Sequence, residues 1–110
     1  MVTYISNSFS LGMIPGGGLL AVLPITGQDF CESLKEGISV VGHPATAQVL
    51  STMCGQEVQV NRKAITLEKN DKVVVAQILT RLDEGKVLSA DEVNELVKQG
   101  KMTFMEVTVL

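Results

Sequence analysis

The chain predicts an α/β fold: a single mixed, largely parallel β-sheet with packing helices. Three observations predict it. Apolar, β-rich runs at residues 2–6, 19–25, 38–41, 72–80 and 103–110 have the length of strands. Helical patterns with recognisable start signals fall between several of them. Strands alternating with helices of about ten residues are the mark of a layered sheet with crossover connections. At 110 residues the chain is one domain, spanning 1–110, with no internal repeat or linker.

Taken in order, residues 2–6 are short and apolar, as an interior strand is. Asn7-Ser8-Phe9-Ser10 leaves that strand. Asn and Ser turn a chain through their side chains, and here Asn7 and Ser10 are also placed to line a cleft at the strand's carboxyl end. Pro15-Gly16-Gly17-Gly18 lacks the GK[ST] ending of a phosphate-binding loop and reads as a flexible connection or hairpin turn. Residues 19–25 form a second strand, and Pro24 suits an edge. Thr26 with Asp29 is a capping pattern for a helix to about Glu36, with Phe30, Cys31 and Leu34 as its apolar stripe and Gly37 as its stop. Residues 38–41 read as a strand covered on both faces. A second helix starts at Pro44, buries Val49, Leu50, Met53 and Cys54, and ends at Gly55. Residues 57–67 are extended, Lys69-Asn70-Asp71 is a turn, and 72–80 is a strong buried strand. Ser89 and Glu92 form a capping box for a third helix that turns Val93, Leu96 and Val97 inward and ends at Gly100. Residues 103–110 alternate as a final strand.

Composition narrows the function. Hydrophobic residues make up 45% of the chain, and with three Phe, one Tyr and no Trp the core is mostly aliphatic. The net charge of −3 and the absence of any basic run disfavour a protein that grips long DNA or RNA. Arginines converging on one small anion remain compatible with it, because a local field need not follow net charge. Cys31 and Cys54 make no CxxC pair, and one histidine is too few for the usual zinc spacings. Both cysteines therefore read as free, buried small hydrophobes, with no metal and no cofactor expected. There is no signal-peptide pattern and no apolar run of the roughly 20 residues that a membrane helix needs. The expectation is a soluble, cytoplasmic protein with no membrane partner.

The chemistry concentrates on Ser39-Val40-Val41-Gly42-His43-Pro44-Ala45-Thr46, read as a strand end, a hinge and the first turn of a helix. Pro44 suits the first helical position, which makes His43, the single histidine, the N-cap. Free amides and the dipole at a helix start favour an anion such as phosphate. A histidine there can exchange a proton with whatever the anion is bonded to. Arg62, Arg81 and Glu84 also fall at or near strand ends, where open α/β sheets bind ligands. Each also has an ordinary use: His43 as a cap, Arg62 as a surface charge, Arg81 with Glu84 as a solvated pair.

As a set, Asn7-Ser8-Phe9-Ser10, Gly42-His43 with Thr46, Asn61-Arg62, Gln77 and Arg81-Leu82-Asp83-Glu84-Gly85-Lys86 resemble the viral anti-CRISPR ring nucleases and their host relatives. The resemblance runs nearly the whole chain, through Gly100-Lys101 and Phe104-Met105-Glu106. It implies a metal-independent nuclease that opens cyclic tetra-adenylate, the messenger of type III CRISPR immunity, and that works as a homodimer with the ligand across the subunit interface. By position it implies His43 as the catalytic residue, Glu84 as its helper and Arg81 as a stabiliser of phosphate charge. Asn7, Ser10, Thr46, Arg62 and Gln77 would bind the ligand. Pro44 and Ala45 depart from the family, which often has an acidic residue and a serine there. Rival readings are a dimer that sequesters the ring without cutting it, a DNA-binding regulator, and a structural dimer in which His43 only caps.

Overall fold

The computed structural model describes residues 1–82 and 87–110. Its axis is strand β4 (Lys72–Ile78), in which Val73, Val74, Val75 and Ala76 are all buried because the sheet is covered on both faces there. Strand β1 (Thr3–Ser6) lies beside it in parallel, from Thr3 opposite Lys72 to Ser6 opposite Val75. The short strand β3 (Ile38–Ser39) runs parallel on the outer side of β1. On the other flank, β5 (Met102–Val109) is antiparallel to β4, and β2 (Leu20–Pro24) is antiparallel to β5. The order is therefore β2-β5-β4-β1-β3, with two parallel and two antiparallel pairings.

The expected largely parallel sheet is thus half antiparallel. The segment between β4 and β5 carries a helix, yet it does not cross over. The Leu79 amide donates to the Lys101 carbonyl at 2.7 Å, so β5 starts where β4 stops and the chain returns as a long hairpin. The helical pattern looks the same in sequence for either path.

The helices are α1 (Gly27–Ser33), α2 (Pro44–Cys54) and α3 (Ala90–Lys98). Thr26 and Ser89 form the two reciprocal capping boxes with Asp29 and Glu92. Gly55 closes α2 in the left-handed region at φ 66°, where a Cβ would be strained. In α3 Val93 is fully buried, but Val97 is 38% exposed and does not face inward as its spacing suggests. The helix presents Val93 and Leu96 to the sheet, and the next residue turns about 100° away.

Two apolar layers follow from the strand alternation. Val74, Ala76, Met102 and Phe104 face the helices and pack with Ile5, Phe30, Leu50 and Val93. The Phe30 and Phe104 rings lie 5.8 Å apart between centroids. Val73, Val75, Val107 and Val109 face the other way, beneath Phe9, Met13, Ile14, Ile65 and Leu67. That second face is covered by irregular chain rather than by helix, with a single 3₁₀ turn at Leu11–Met13.

Three further expectations change. Residues 38–41 do not form a doubly covered strand. β3 is a two-residue edge, Ile38 is 51% exposed, and Val40 and Val41 are buried beyond the ladder. Extended chain substitutes for a neighbour there: Asn61 N–H donates to Val41 O at 2.8 Å, and Asn61 Nδ2 to Ser39 O at 2.9 Å. The glycine run at 16–18 does not join paired strands, since β1 and β2 are not neighbours; it carries the chain across to the far edge of the sheet. Finally, Cys31 and Cys54 are not free. They form a disulfide between α1 and the last turn of α2, with Cα atoms 5.2 Å apart. Sequence separation hid the approach, because packing both helices on one face brings the two ends together.

Asp71 fastens the opposite end of the sheet. Its carboxylate accepts the Val2 amide at 2.8 Å and the Glu68 amide at 2.9 Å. The Glu68 amide first, then that of Val2 and the terminal ammonium, hold its carboxyl below the usual carboxylate range, against the opposing effect of burial.

Candidate functional site

Because β1, β3 and β4 are parallel, their carboxyl ends deliver three loops to one end of the sheet. β1 hands over to Asn7, whose Oδ1 accepts the Gly42 amide at 3.4 Å and ties the first loop to the second. Its Nδ2 has no partner among the described residues, so two donors remain for a ligand.

β3 leads through Val40 and Val41 to His43, which caps α2 in extended conformation (φ −122°, ψ 115°) with Pro44 at the first helical position. The ring Nδ1 accepts the Thr46 amide at 3.3 Å and lies 3.2 Å from Thr46 Oγ1. The imidazole is thereby held by one edge. Its Nε2 has no partner among the described residues, and the residue is exposed. Thr46 itself is only 7% exposed, and its hydroxyl is committed to the ring.

Arg62 reaches the same place from the extended segment bonded along β3. Its stem lies over Gly42, where an added Cβ would sit 3.1 Å from the Arg62 Cγ. The missing side chain at Gly42 is what admits the arginine. Arg81 arrives from the third loop, beyond β4.

Two adjoining cavities result, and Asn7 and His43 bound both. The first, about 420 Å³, is completed by Thr46, Thr80 and Arg81 with apolar Ala45, Ile78 and Leu82. The second, about 360 Å³, is completed by Ser6, Ser8, Arg62 and Lys63 with Met13, Val40 and Gly42. His43 stands on the ridge between them, with Arg81 on one side and Arg62 and Lys63 on the other. No carboxylate lines either cavity among the described residues. One group of carboxylates lies elsewhere: Asp29, Glu32, Glu36 and Glu106 line a groove at the opening residues of β1 and β4, with Lys72 bridging to Glu106 at 3.4 Å. Glu92 and Glu95 of α3 line a third cavity that shares Thr80, Arg81 and Leu82 with the first. Among the described residues no group of three metal-ligating side chains occurs.

The structure therefore brings together Asn7, His43, Thr46, Arg62 and Arg81. Ser10 is exposed at the start of the 3₁₀ turn and lines neither cavity. Gln77 is exposed on the β4 face shared with Val73 and Val75, away from both cavities. Glu84 lies outside the described residues. Sequence reading missed Ser8, Lys63 and Thr80. Of these only Lys63 carried a signal, as a second cation beside Arg62.

Comparison with known proteins gives a consistent picture. A family model described as STIV B116-like matches residues 3–103. The chain is 35% identical over 108 residues to protein 26 of Sulfolobus islandicus filamentous virus, covering 96% of this chain and 92% of that one. It is 29% identical over 105 residues to ORF116 of Acidianus filamentous virus 1, covering 93% and 90%. Among solved structures, B116 of Sulfolobus turreted icosahedral virus superposes with a TM-score of 0.91 at 30% identity, over 98% of this chain and 99% of that chain.

Proposed function

The chain belongs to the STIV B116-like family, and from that premise and the cleft we propose that it is a ring nuclease that opens cyclic tetra-adenylate. The observation that carries the reading is the placement of His43 between two cationic cavities free of carboxylate among the described residues. A ring of nucleotides presents phosphates at regular intervals and needs cations on both sides of the reacting one.

The reaction requires no external nucleophile. A ribose 2′-oxygen attacks its own phosphorus in line, forming the 2′-O–P bond of a 2′,3′-cyclic phosphate. The P–O5′ bond breaks, the 2′ proton passes to solvent water, and the 5′-oxygen must gain a proton. His43, whose Nε2 has no partner among the described residues, supplies that proton, a role worth about 10²–10⁴-fold. Arg81 stabilises charge on the non-bridging oxygens, while Arg62 and Asn7 hold the neighbouring phosphate. No step calls for a metal ion. Glu84 has the helper role that the resemblance assigns.

The active form in this proposal is a homodimer. A two-fold pair would offer Arg62 and Arg81 twice, four guanidinium groups to a ring of four phosphates. Exposed Leu11, Val60 and Leu79 flank the site loops and favour a covered surface there. The setting we propose is the host cytoplasm, where the product would no longer signal.

Incubation with cyclic tetra-adenylate in EDTA tests the reading. Linear products ending in 2′,3′-cyclic phosphate and 5′-hydroxyl are expected. His43→Ala should keep binding and lose cleavage by at least about 10²-fold. Binding without products from the unsubstituted protein would leave a sequestering dimer, and cleavage by His43→Ala at the normal rate would remove the acid assignment.

A further inference from the structure

We propose that Thr46 is the positioning residue that decides which proton His43 offers to the cleft. The inference rests on the ring-nuclease reading for its consequence, but its geometry stands apart from it. A backbone amide can only donate, so the Thr46 N–H at 3.3 Å obliges Nδ1 of the neutral ring to be the acceptor. The neutral ring therefore carries its proton on Nε2, the nitrogen that no described residue engages. His43 in this state is a donor at Nε2 and has no lone pair there with which to act as a base.

The acid itself is the doubly protonated ring, which gives its Nε2 proton to the 5′-oxygen and keeps the one on Nδ1, so that before and after the transfer Nδ1 carries a hydrogen that faces the amide hydrogen. Thr46 resolves the conflict with its own hydroxyl. Oγ1 lies 3.2 Å from Nδ1 and, unlike the amide, can rotate from donating to accepting. One buried side chain thus accommodates both protonation states without moving the ring. The charged groups among the described residues that share the two cavities with His43 are Arg62, Lys63 and Arg81, all cations, and the first turn of α2 carries no acidic residue. Among the described residues no carboxylate competes with Thr46 for the Nδ1 proton.

The single histidine makes the test direct, because the imidazole ¹⁵N spectrum holds one residue's signals. At high pH the spectrum should show the proton on Nε2; a proton on Nδ1 would overturn the proposal. In Thr46→Val the amide donor stays and the rotating acceptor goes. Its titration midpoint should fall by about one pH unit, the worth of one hydrogen bond to a charged group. Thr46→Ser keeps the hydroxyl and should titrate with the parent. Coincident titrations of Thr46→Val and the parent refute the role, as does a Thr46→Ser midpoint that falls with that of Thr46→Val. With cyclic tetra-adenylate, Thr46→Val should lose about tenfold in kcat at unchanged KM, with the high-pH limb of its rate profile, where the proton donor is lost, displaced to lower pH by the same amount. If the parent cleaves nothing, the ring-nuclease reading fails while the spectra still decide the role of Thr46.

Discussion

Reducing the Cys31–Cys54 cross-link should cost this protein a large share of its stability, and the structure sets the scale. The bond joins residues 23 apart, from the middle of α1 to the end of α2. In the loop-entropy treatment, closing a loop of that length removes about 11 cal/mol/K from the unfolded chain, or about 3.4 kcal/mol at 25 °C. A 110-residue chain unfolds with an entropy of about 230 cal/mol/K, so the loss corresponds to roughly 15 °C in Tm. The measurement is thermal unfolding by far-UV circular dichroism of the parent, with and without reductant, and of Cys31→Ser/Cys54→Ser. Thiol titration of the denatured parent should find no free thiol before reduction and two afterwards, matching the two cysteines in the chain. Native β-sheet signal should survive at low temperature, because neither cysteine lies in a strand. A serine pair that melts within about 3 °C of the oxidised parent would refute the argument, since that difference is under about 1 kcal/mol for a chain of this size.

The other predictions concern single residues. Asp71 has a lowered folded pKa, so its stabilisation is complete above the ordinary carboxylate value near 3.8 and is lost as pH falls through the folded value. Asp71→Asn should therefore melt lower at pH 7 and show a shallower loss of Tm between about pH 4 and pH 2 than the parent. Gly42→Ala should place its Cβ 3.1 Å from the Arg62 Cγ, shifting the arginine stem by a few tenths of an ångström and weakening ring binding severalfold while Tm moves by no more than a few degrees; equilibrium dialysis against the ring nucleotide, with both proteins also carrying His43→Ala so that the ring stays intact, checks it. Gly37→Ala should destabilise without touching the cleft, because its Cβ would meet Ile5 side-chain carbons at 2.5 Å and the Ser33 carbonyl at 3.0 Å. A loss of about 1–3 kcal/mol is expected from urea unfolding.

Local signals carried well from sequence to structure wherever one residue decides the outcome. The Thr26 and Ser89 capping boxes, Pro44 at the start of α2 and Gly55 at its end all act within one turn, and all are found where the chain implied them. Pro24 marks an edge strand for the same reason, as its nitrogen cannot donate to a further neighbour. What depends on the path through space was not legible. Residues 38–41 have the composition of an inner strand, yet β3 lies at an edge because Asn61, distant in sequence, supplies its outer hydrogen bonds. The Cys31–Cys54 pairing and the antiparallel return of β5 are likewise products of packing. At the site, His43, Asn7 and Arg81 were legible as neighbours because strand ends converge in any parallel layer, whereas Arg62 arrives from extended chain outside the sheet. The role of Thr46 toward His43 was not legible, since hydroxyl spacing along a helix start does not say whether the group faces ligand or ring.

The hairpin flank of the sheet, β5 with β2, contributes no side chain to either cavity beside His43. The proposed site and the hairpin flank are therefore separate parts of one sheet. Mutational drift can be absorbed along the outer ribbon while the three loops stay under tight constraint, so a library confined to that ribbon's solvent side should retain whatever the loops do. The same division offers an engineer a place to graft a new edge, or a label, at β2, the edge of the sheet opposite β3.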